Sequence, residues 1–332
     1  QKGKKMKKII SAVLVILVVL CMLLPTGCGS NKEKVLIYAS SEEYRLEDLR
    51  ARLKEEFPQY NCVVEYKDTG SHAATLMAEG KDTPCDISYE LEYGYMTQLA
   101  DEGLLLDLSD YDFSKYLEDT VISSYFTPSL RNGGAIIVNP EVLAEKGLSK
   151  PTCYEDLLKP EYKGLISMPN PKSSGTGYMF LKALVNAMGE QEAFQYFDKL
   201  SENILAFTSS GSGPVNALKT KEAAIGLGMT AQTVTAINEG ANLEIIFFEE
   251  GSPFSLYGQA IIKGKESRQC VKEVFDFLVN TYTEETNKKF FPEQIFKDKV
   301  FEVENYPSNI KYADMSNDTM EEKTRLLDQW KH

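Results

Sequence analysis

Short apolar runs alternate with segments whose apolar residues recur at helical spacing along most of the chain. The first run covers 34–39, apolar residues then recur every three or four positions from Leu46 to Phe57, and 62–66 is again strand-like. This order predicts a strand, a helix and a second strand at the start of the folded region.

The same alternation continues over the following two hundred residues. The predicted strands cover 86–89, 135–138, 165–167, 204–207, 224–227 and 243–248, and the predicted helices cover 95–100, 178–188 and 231–239. Alternating elements predict α/β layers over largely parallel sheets. In such folds ligands are held by the loops at the carboxyl ends of the strands, so candidate chemistry is expected there.

The amino-terminal segment has the pattern of a lipoprotein signal peptide. Five lysines precede an apolar run over 9–24, and two small residues stand directly before Cys28. An apolar run of this length is short for a membrane-spanning helix. We therefore predict a signal peptide over 1–27, a lipid acceptor at Cys28 and a tether over 28–34. The lipid would hold the protein on the extracytoplasmic face of the cell membrane, and a single-pass anchor is the alternative.

The charge of the chain disfavours several classes of partner. The formal net charge is −13 at pH 7, and removal of the five leader lysines would make it −18. A surface this acidic disfavours nucleic acid and electrostatic adhesion to anionic lipid. A small anionic ligand is still compatible, because amides and hydroxyl groups act locally while distant charges are screened over about 8 Å.

The length predicts two lobes. About 305 residues remain after the leader, which is enough for two domains with sizeable cores. No repeat or long linker separates them, so strands rather than a flexible linker would join the lobes. The candidate crossovers are 133–134 and 251–253, where flexible residues stand beside extended runs, although each also fits an ordinary turn.

The segment 169–178 carries the clearest chemical signal. It follows a predicted strand, precedes a predicted helix and reads Pro-Asn-Pro-Lys-Ser-Ser-Gly-Thr-Gly-Tyr. A helix start exposes free N–H groups, glycines permit close approach, and the helix dipole adds about half a positive charge. These features suit an oxyanion, whereas the spacing of a nucleotide-binding P-loop is absent. Plain helix capping is the alternative.

Three further loops repeat this chemistry at the ends of predicted strands. Ser40 and Ser41 follow the first strand, 69–71 follow the second, and 209–213 follow a later one. One such loop is usually a turn, but several that converge on a cleft would form a neutral, donor-rich anion site. Glu90 is a candidate acceptor for a ligand ammonium group or sugar hydroxyl, and a solvated acidic helix start is its alternative.

Groups for catalysis and metal binding are sparse. The histidines are His72 and the terminal His332, so a secreted hydrolase would have to pair His72 with a distant serine such as Ser174. The cysteines after Cys28 lack CxxC or metal-type spacing, and no disulfide pairing is assigned to them. They are Cys62, Cys85, Cys153 and Cys270. We predict no enzyme activity, no cofactor and no resident metal.

Several segments resemble one protein family. They are the lipoprotein leader, Val-Leu-Ile-Tyr-Ala-Ser-Ser at 35–41, the loop at 169–178, Phe-Phe-Glu-Glu-Gly-Ser-Pro at 247–253 and Tyr-Gly-Gln-Ala-Ile-Ile-Lys-Gly at 257–264. Together they resemble the solute-binding lipoproteins of ABC transporters, in the group that binds ferric iron, phosphorylated sugars or 2-aminoethylphosphonate. The resemblance implies an α/β, two-lobed periplasmic-binding-protein-like fold of type II topology, with two strand crossovers and an interlobe cleft that closes by a hinge.

Within that group, the ferric branch is the weaker fit. Its adjacent tyrosines are replaced by Gly-Met-Thr-Ala-Gln at 228–232, and a serine pair at 40–41 stands where that branch has a ligating histidine. A hard cation prefers anionic oxygen ligands. The resemblance therefore implies an organic phosphate or phosphonate. Ferric iron near Tyr89, Tyr93 and Glu90 is the alternative.

The resulting hypothesis is a non-enzymatic, monomeric receptor that delivers a small anionic ligand to ABC permease subunits in the membrane. Lobe 1 is assigned to 35–132 and 255–290, and lobe 2 to 133–254 and 291–332. The predicted ligand-binding residues offer hydroxyl, backbone N–H, carboxylate or aromatic groups near strand ends. They are Ser40, Ser41, Ser71, Glu90, Ser173, Ser174, Gly175, Thr176, Gly177, Tyr178, Ser210, Gly211, Ser212 and Tyr257.

Overall fold

The computed structural model describes residues 32–332. The predicted signal peptide over 1–27 and the predicted lipid acceptor Cys28 lie outside the described residues. Within 32–332, none of the helices combines the length and apolar composition that a membrane crossing requires.

The described chain alternates strands and helices, as the periodicity predicts. The strands are β1 (Lys34–Ala39), β2 (Asn61–Tyr66), β3 (Ile87–Glu92), β4 (Thr127–Val138), β5 (Ile166–Pro169), β6 (Ile204–Thr208), β7 (Ile225–Met229), β8 (Glu244–Ile246) and β9 (Phe254–Ile261). The helices are α1 (Glu43–Glu56), α2 (Thr69–Glu79), α3 (Tyr93–Asp101), α4 (Pro140–Glu145), α5 (Gly175–Met188), α6 (Glu190–Leu200), α7 (Gly213–Lys219), α8 (Thr230–Asn238), α9 (Gln269–Phe277), α10 (Thr283–Phe290) and α11 (Met320–Gln329). A π-helical turn (Leu278–Tyr282) joins α9 to α10.

The strands form one mixed sheet of nine strands, which is parallel at each end. Their order is β2-β1-β3-β9-β4-β7-β5-β6, and β8 pairs with β4. β1 is parallel to β2 and β3, and β5 is parallel to β6 and β7. The pairs that involve β4 or β9 are antiparallel. The prediction of largely parallel sheets is therefore wrong at the centre of the sheet. There β4 and β9 are antiparallel to each other and to their outer neighbours.

β4 and β9 connect the two halves of the molecule. β4 pairs with β9 over 127–133 and with β7 over 134–138, so it passes from one half to the other at the two glycines. The N–H of Gly134 donates to the carbonyl of Pro253 at 2.7 Å, and the Ser252 hydroxyl donates to the carbonyl of Gly134 at 2.7 Å. The two candidate crossovers therefore lie side by side.

Each half has its own hydrophobic core. In the first half, β1 and α1 pack with Ile261 of β9 and with Phe275 of α9. In the second half, β5, α5 and α6 pack with Trp330, which follows α11. Burial of apolar area contributes roughly 25 cal/mol per Å², so these separate clusters supply the main stabilisation of each half.

The segment after α10 contacts both halves. Ile295 and Phe296 pack with Tyr116 of the first half, whereas Leu326 of α11 is buried in the second core. The carboxylate of Glu293 accepts hydrogen bonds from two tyrosine hydroxyls at 2.6 Å and from the N–H of a crossover glycine at 3.1 Å. The assignment of 291–332 to lobe 2 stays a prediction.

Two segments differ from the sequence-based expectation. Residues 69–71, predicted as a strand-end loop, form the first turn of α2, where the Asp68 carboxylate accepts the N–H of Ser71 at 3.0 Å. Glycine and hydroxyl residues have low helix propensity, so the side-chain cap and tertiary packing decide this turn. Residues 254–261, read only as an extended segment, form the central strand β9.

Candidate functional site

A cleft of about 260 Å³ lies between the two halves and brings the predicted hydroxyl-rich loops together. The residues that line it are Ser40, Ser41, Glu42, Glu43, Arg45, Tyr66, Asp68, Thr69, Glu90, Leu130, Asn132, Ser173, Ser174, Gly175, Thr176, Ser210, Gly211, Ser212, Met229 and Tyr257. We call 173–176 and 210–212 the donor wall, and Ser41, Glu42, Arg45 and Glu90 the charged wall. The two walls come from different halves of the molecule.

The donor wall is built around the start of α5. Ser174 caps this helix, and its hydroxyl accepts the N–H of Gly177 at 3.4 Å. The N–H groups of Gly175 and Thr176 make no hydrogen bond to any other residue within 32–332. Free N–H groups at a helix start also carry the positive end of the helix dipole. This end of α5 is therefore a preformed place for negative charge that needs no charged side chain.

The loop 210–212 completes the donor wall. Its two serine hydroxyls hydrogen bond to each other at 2.8 Å. A Cβ on Gly211 would overlap the hydroxyl of Thr176 and would lie 3.3 Å from the hydroxyl oxygen of Ser174. Glycine at 211 is therefore required for the loop to approach the helix start, and it keeps the hydroxyl groups of both segments close together.

The charged wall is a buried ionic network. The Arg45 guanidinium and the Ser41 hydroxyl both donate to Oε2 of Glu90, and Arg45 also donates to Glu42 at 2.9 Å. Arg45 lies 4.3 Å above the ring of Phe291. The other carboxylate oxygen of Glu90, Oε1, is buried and has no partner among the described residues. A buried acceptor without a hydrogen-bond partner costs free energy.

A backbone irregularity places Glu90 at the cleft. The register of β3 against β9 shifts between Ser88 and Leu91, and Glu90 inside this bulge has a φ of 52°. Bulges redirect side chains, and non-glycine residues rarely adopt the left-handed conformation. Burial raises the pKa of Glu90, while Arg45 and the Ser41 hydroxyl act in the opposite direction. Such local strain is commonly retained at functional sites.

His72 supports the cleft from the interior. Its Nδ1 lies 2.8 Å from the Ser40 hydroxyl oxygen and its Nε2 lies 3.1 Å from that of Ser88. Complete burial, with a smaller contribution from Lys67, lowers the pKa of His72 to about 3. The imidazole is therefore neutral at pH 7. Neither ring nitrogen hydrogen bonds to Ser174, so the pair needed for a serine hydrolase is not formed.

Three of the predicted ligand-binding residues do not line the cleft. Ser71 is exposed and donates its hydroxyl at 2.7 Å to the carboxylate of Asp68, the residue that caps α2. Gly177 packs against the backbone of Asn170, and Tyr178 is buried and donates its hydroxyl to Asp318 at 2.7 Å. The start of α5 is buried on all sides, so only its first residues face the cleft. The other predicted residues line the cleft, and their role in binding stays a prediction.

Arg45 is the main cleft residue that the sequence reasoning missed. It stands one position before Leu46 and four before Leu49, which places a charged side chain beside the apolar face of α1. A charged residue at that position indicates a buried partner of opposite charge. The partner, Glu90, is 45 positions away, so the pair could not be identified from local spacing.

The residues considered for ferric iron have different surroundings. Tyr93 donates its hydroxyl to the carbonyl of Thr120 at 2.6 Å, and Tyr89 packs beside Tyr282 with ring centroids 6.2 Å apart. Of the three candidates, only Glu90 lines the cleft. Across residues 32–332, no group of three or more His, Cys, Asp or Glu side chains is placed to hold a metal ion.

Comparison with known proteins identifies similar chains and folds. A protein of Haemophilus influenzae described as uncharacterized is 26% identical over 266 residues, which cover 77% of this chain and 75% of that protein. The periplasmic binding protein AfuA from Actinobacillus pleuropneumoniae, solved with exogenous fructose-6-phosphate bound, has 25% identity and a TM-score of 0.80. The alignment covers 90% of this chain and 98% of AfuA. The periplasmic binding protein P5PA has 24% identity and a TM-score of 0.78, with 90% and 98% coverage.

The family match covers more than half of the chain. The profile of the bacterial extracellular solute-binding proteins matches residues 85–323, which include both halves of the molecule and most of the cleft. The periplasmic-binding-protein fold predicted from the sequence is confirmed. Members of this family bind solutes and are not enzymes. The chain therefore belongs to the bacterial extracellular solute-binding proteins and is the solute-binding component of an ABC importer.

Proposed function

We propose that this protein captures a small organic phosphate or phosphonate in its interlobe cleft and delivers it to the permease subunits of its importer. The donor wall carries the proposal, because free N–H groups of Gly175 and Thr176 stand beside several hydroxyl groups in one concave surface. A tetrahedral oxyanion accepts hydrogen bonds from several such donors at once.

The charged wall suits the remainder of such a ligand. Glu42, Glu43, Asp68 and Glu90 line this side, and Arg45 is already paired with two of these carboxylates. Carboxylates accept hydrogen bonds from sugar hydroxyls or from an ammonium group and repel a phosphate. The ligand would therefore place its phosphate or phosphonate at the donor wall and its hydroxyl or ammonium groups at the charged wall.

The similarity to AfuA supports a phosphorylated ligand. That protein, which shares 25% identity and its fold over 90% of this chain, was solved with fructose-6-phosphate. The crossing strands β4 and β9 would serve as the hinge that encloses the ligand. The lipid anchor at Cys28, the extracytoplasmic location on the membrane and the monomeric state belong to the same proposal.

A ligand panel tests the proposal. Fructose-6-phosphate, glycerol phosphate, 2-aminoethylphosphonate, inorganic phosphate and ferric citrate would each be titrated against the full chain by calorimetry. We expect one phosphorylated or phosphonate compound to bind. Ser174→Ala and Thr176→Ala should each weaken that binding by about tenfold, since one hydrogen bond to a charged group contributes about 1.5 kcal/mol or more.

A matched variant separates this effect from general damage. Thr324→Ala removes the same hydroxyl from an exposed position on α11 and should leave affinity unchanged. Binding of ferric citrate alone would overturn the proposal. Unchanged affinity in both Ser174→Ala and Thr176→Ala would remove the donor wall from it.

A further inference from the structure

A buried ion pair joins the two halves of the molecule outside the cleft. The Lys323 ammonium group of α11 donates to the carboxylate of Glu92, which ends β3 and caps α3. Both side chains are 2% exposed. Neither residue lines the cleft. The proposed function makes no use of this pair, so its burial needs a separate explanation.

The two partners belong to different halves. Glu92 leads into α3, whose residue Met96 is buried in a core of the first half together with residues of β1. α11 is fixed to the second half, because Leu326 is buried in the second core. The Lys182 ammonium group of α5 also lies 3.6 Å from the carboxylate of Glu322 in α11. A movement of one half relative to the other therefore acts directly on the pair of Lys323 and Glu92.

The ammonium group lies between two tyrosine rings. Nζ of Lys323 is 4.2 Å from the ring centroid of Tyr95 and 4.4 Å from that of Tyr178. Tyr95 packs against the first half, and Tyr178 is buried in the second core. The attraction between a cation and an aromatic ring is strongest where water is excluded. Each half therefore supplies one ring to hold the same cation.

The backbones approach closely at this junction. A Cβ on Gly94, at the start of α3, would lie 2.9 Å from the sulfur of Met320 at the start of α11. Glycine at 94 therefore lets the two helix starts come together. The N–H of Gly94 also donates to the second carboxylate oxygen of Glu92 at 3.2 Å. The carboxylate thus has a partner on each oxygen in the present arrangement of the halves.

The junction is directly connected to the cleft. Glu92 stands opposite Tyr257 in the register of β3 and β9, and Tyr257 lines the cleft. The walls are close in this arrangement, since a Cβ on Gly175 would lie 3.8 Å from the hydroxyl oxygen of Thr69 in the first half. A buried charge pair stabilises a contact when further groups complete its interactions, and here the two rings and the Gly94 amide do so.

We propose that Lys323 and Glu92 form a latch that holds the two halves together and sets how often the cleft opens. Lys323 is a positioning residue, because it acts on the cleft only through the orientation of the halves. The latch operates in the protein without ligand, so it does not depend on which solute the cleft binds. A population shift toward the open form would speed the release of any bound solute.

Small-angle X-ray scattering of the full chain without ligand tests the latch. The double variant Lys323→Met/Glu92→Gln removes both charges and keeps an amide oxygen that can accept the N–H of Gly94. We expect a larger radius of gyration than in the wild type, because the halves separate more often. Lys323→Met alone should increase the radius further, since the unpaired Glu92 carboxylate gains water only when the halves separate.

Urea denaturation identifies the variants that are folded under the scattering conditions. If Lys323→Met does not fold, the double variant decides the test, because it leaves no buried charge unpaired.

A matched control uses the other buried lysine of α5 and α11. Lys182→Met removes an ammonium group that is also 2% exposed, but its partner Glu322 belongs to the same half. This variant should leave the radius of gyration unchanged, whatever its effect on the urea midpoint. An unchanged radius in the double variant would overturn the proposal. An equal increase in Lys182→Met would also overturn it, since the increase would then reflect general loosening of the fold.

Discussion

The two walls of the cleft differ in whether their polar groups are charged and whether they are already paired. The donor wall offers uncharged N–H and O–H groups at the start of α5, and its free amides have no partner among the described residues. The charged wall holds the buried pair of Arg45 and Glu90, whose charges are largely satisfied by each other. The donor wall therefore keeps free N–H groups, whereas most of the charge in the charged wall is paired within the protein.

This difference would allow an acidic protein to hold the anion proposed as its ligand. The chain has a formal net charge of −13, and its one cleft arginine is already engaged by carboxylates. Helix-start amides provide local positive potential without a mobile counter-ion. The charged wall instead fixes the position of Glu90 Oε1 as an acceptor.

The largest effect is expected from breaking the charged wall. Arg45→Met would leave the Glu90 carboxylate buried without its cation, and we expect the free energy of unfolding to fall by about 3–5 kcal/mol in urea denaturation. Arg50→Met is the matched control on the same helix. Arg50 pairs with Glu43 at 2.5 Å in a partly exposed position, so its loss should cost under about 1 kcal/mol.

A double variant isolates the pairing itself. Arg45→Met/Glu90→Gln removes both charges and should recover most of the stability lost in Arg45→Met. If the two substitutions were simply additive, the buried charge would not be the cause of the loss.

A smaller effect is expected from crowding the donor wall. Gly211→Ala would place a Cβ against the Thr176 hydroxyl, and overpacking of this kind costs about 1–3 kcal/mol of unfolding free energy. Gly70→Ala is the control, because its nearest neighbour, the carbonyl of Lys172, would be 3.4 Å away. If Gly211→Ala unfolds at the same urea concentration as the wild type, the close approach of loop and helix is not required.

A pH-dependent effect concerns the histidine behind the cleft, and it is expected to be small in the range between pH 6.5 and pH 5. The pKa of His72 is lowered from its ordinary value near 6.5 to about 3 in the folded protein, so between these values only the unfolded chain binds the proton. Stability should therefore fall as the pH drops through this window, by up to about 1.4 kcal/mol per pH unit from this group.

The measurement compares slopes rather than absolute stabilities. Unfolding free energy would be determined between pH 6.5 and pH 5 for the wild type, for His72→Gln and for His332→Gln. We expect the unfolding free energy to depend less steeply on pH only in His72→Gln. Equal slopes in all three proteins would show that His72 titrates normally in the fold.

The sequence predicts local elements better than it predicts the walls. The apolar period correctly placed β1, α1 and β2, and the hydroxyl-rich loop at 169–178 was correctly linked to a helix start. The sequence did not place Tyr178, because α5 is buried along most of its length and its residue pattern gives no indication of which side faces the cleft. The salt bridge of the charged wall could not be predicted either, since it joins α1 to a bulge in β3 that no local sequence pattern indicates.

The contribution of carboxyl-terminal residues to both cores has a consequence for biogenesis. The first core needs Ile261 and Phe275, and the second needs Trp330. A nascent chain emerging from the ribosome therefore cannot complete the first core before Phe275 has been made, or the second before Trp330 has been made. We expect each core to stay unfolded until these residues have been made, which is the state in which a polypeptide can be threaded through a translocation channel.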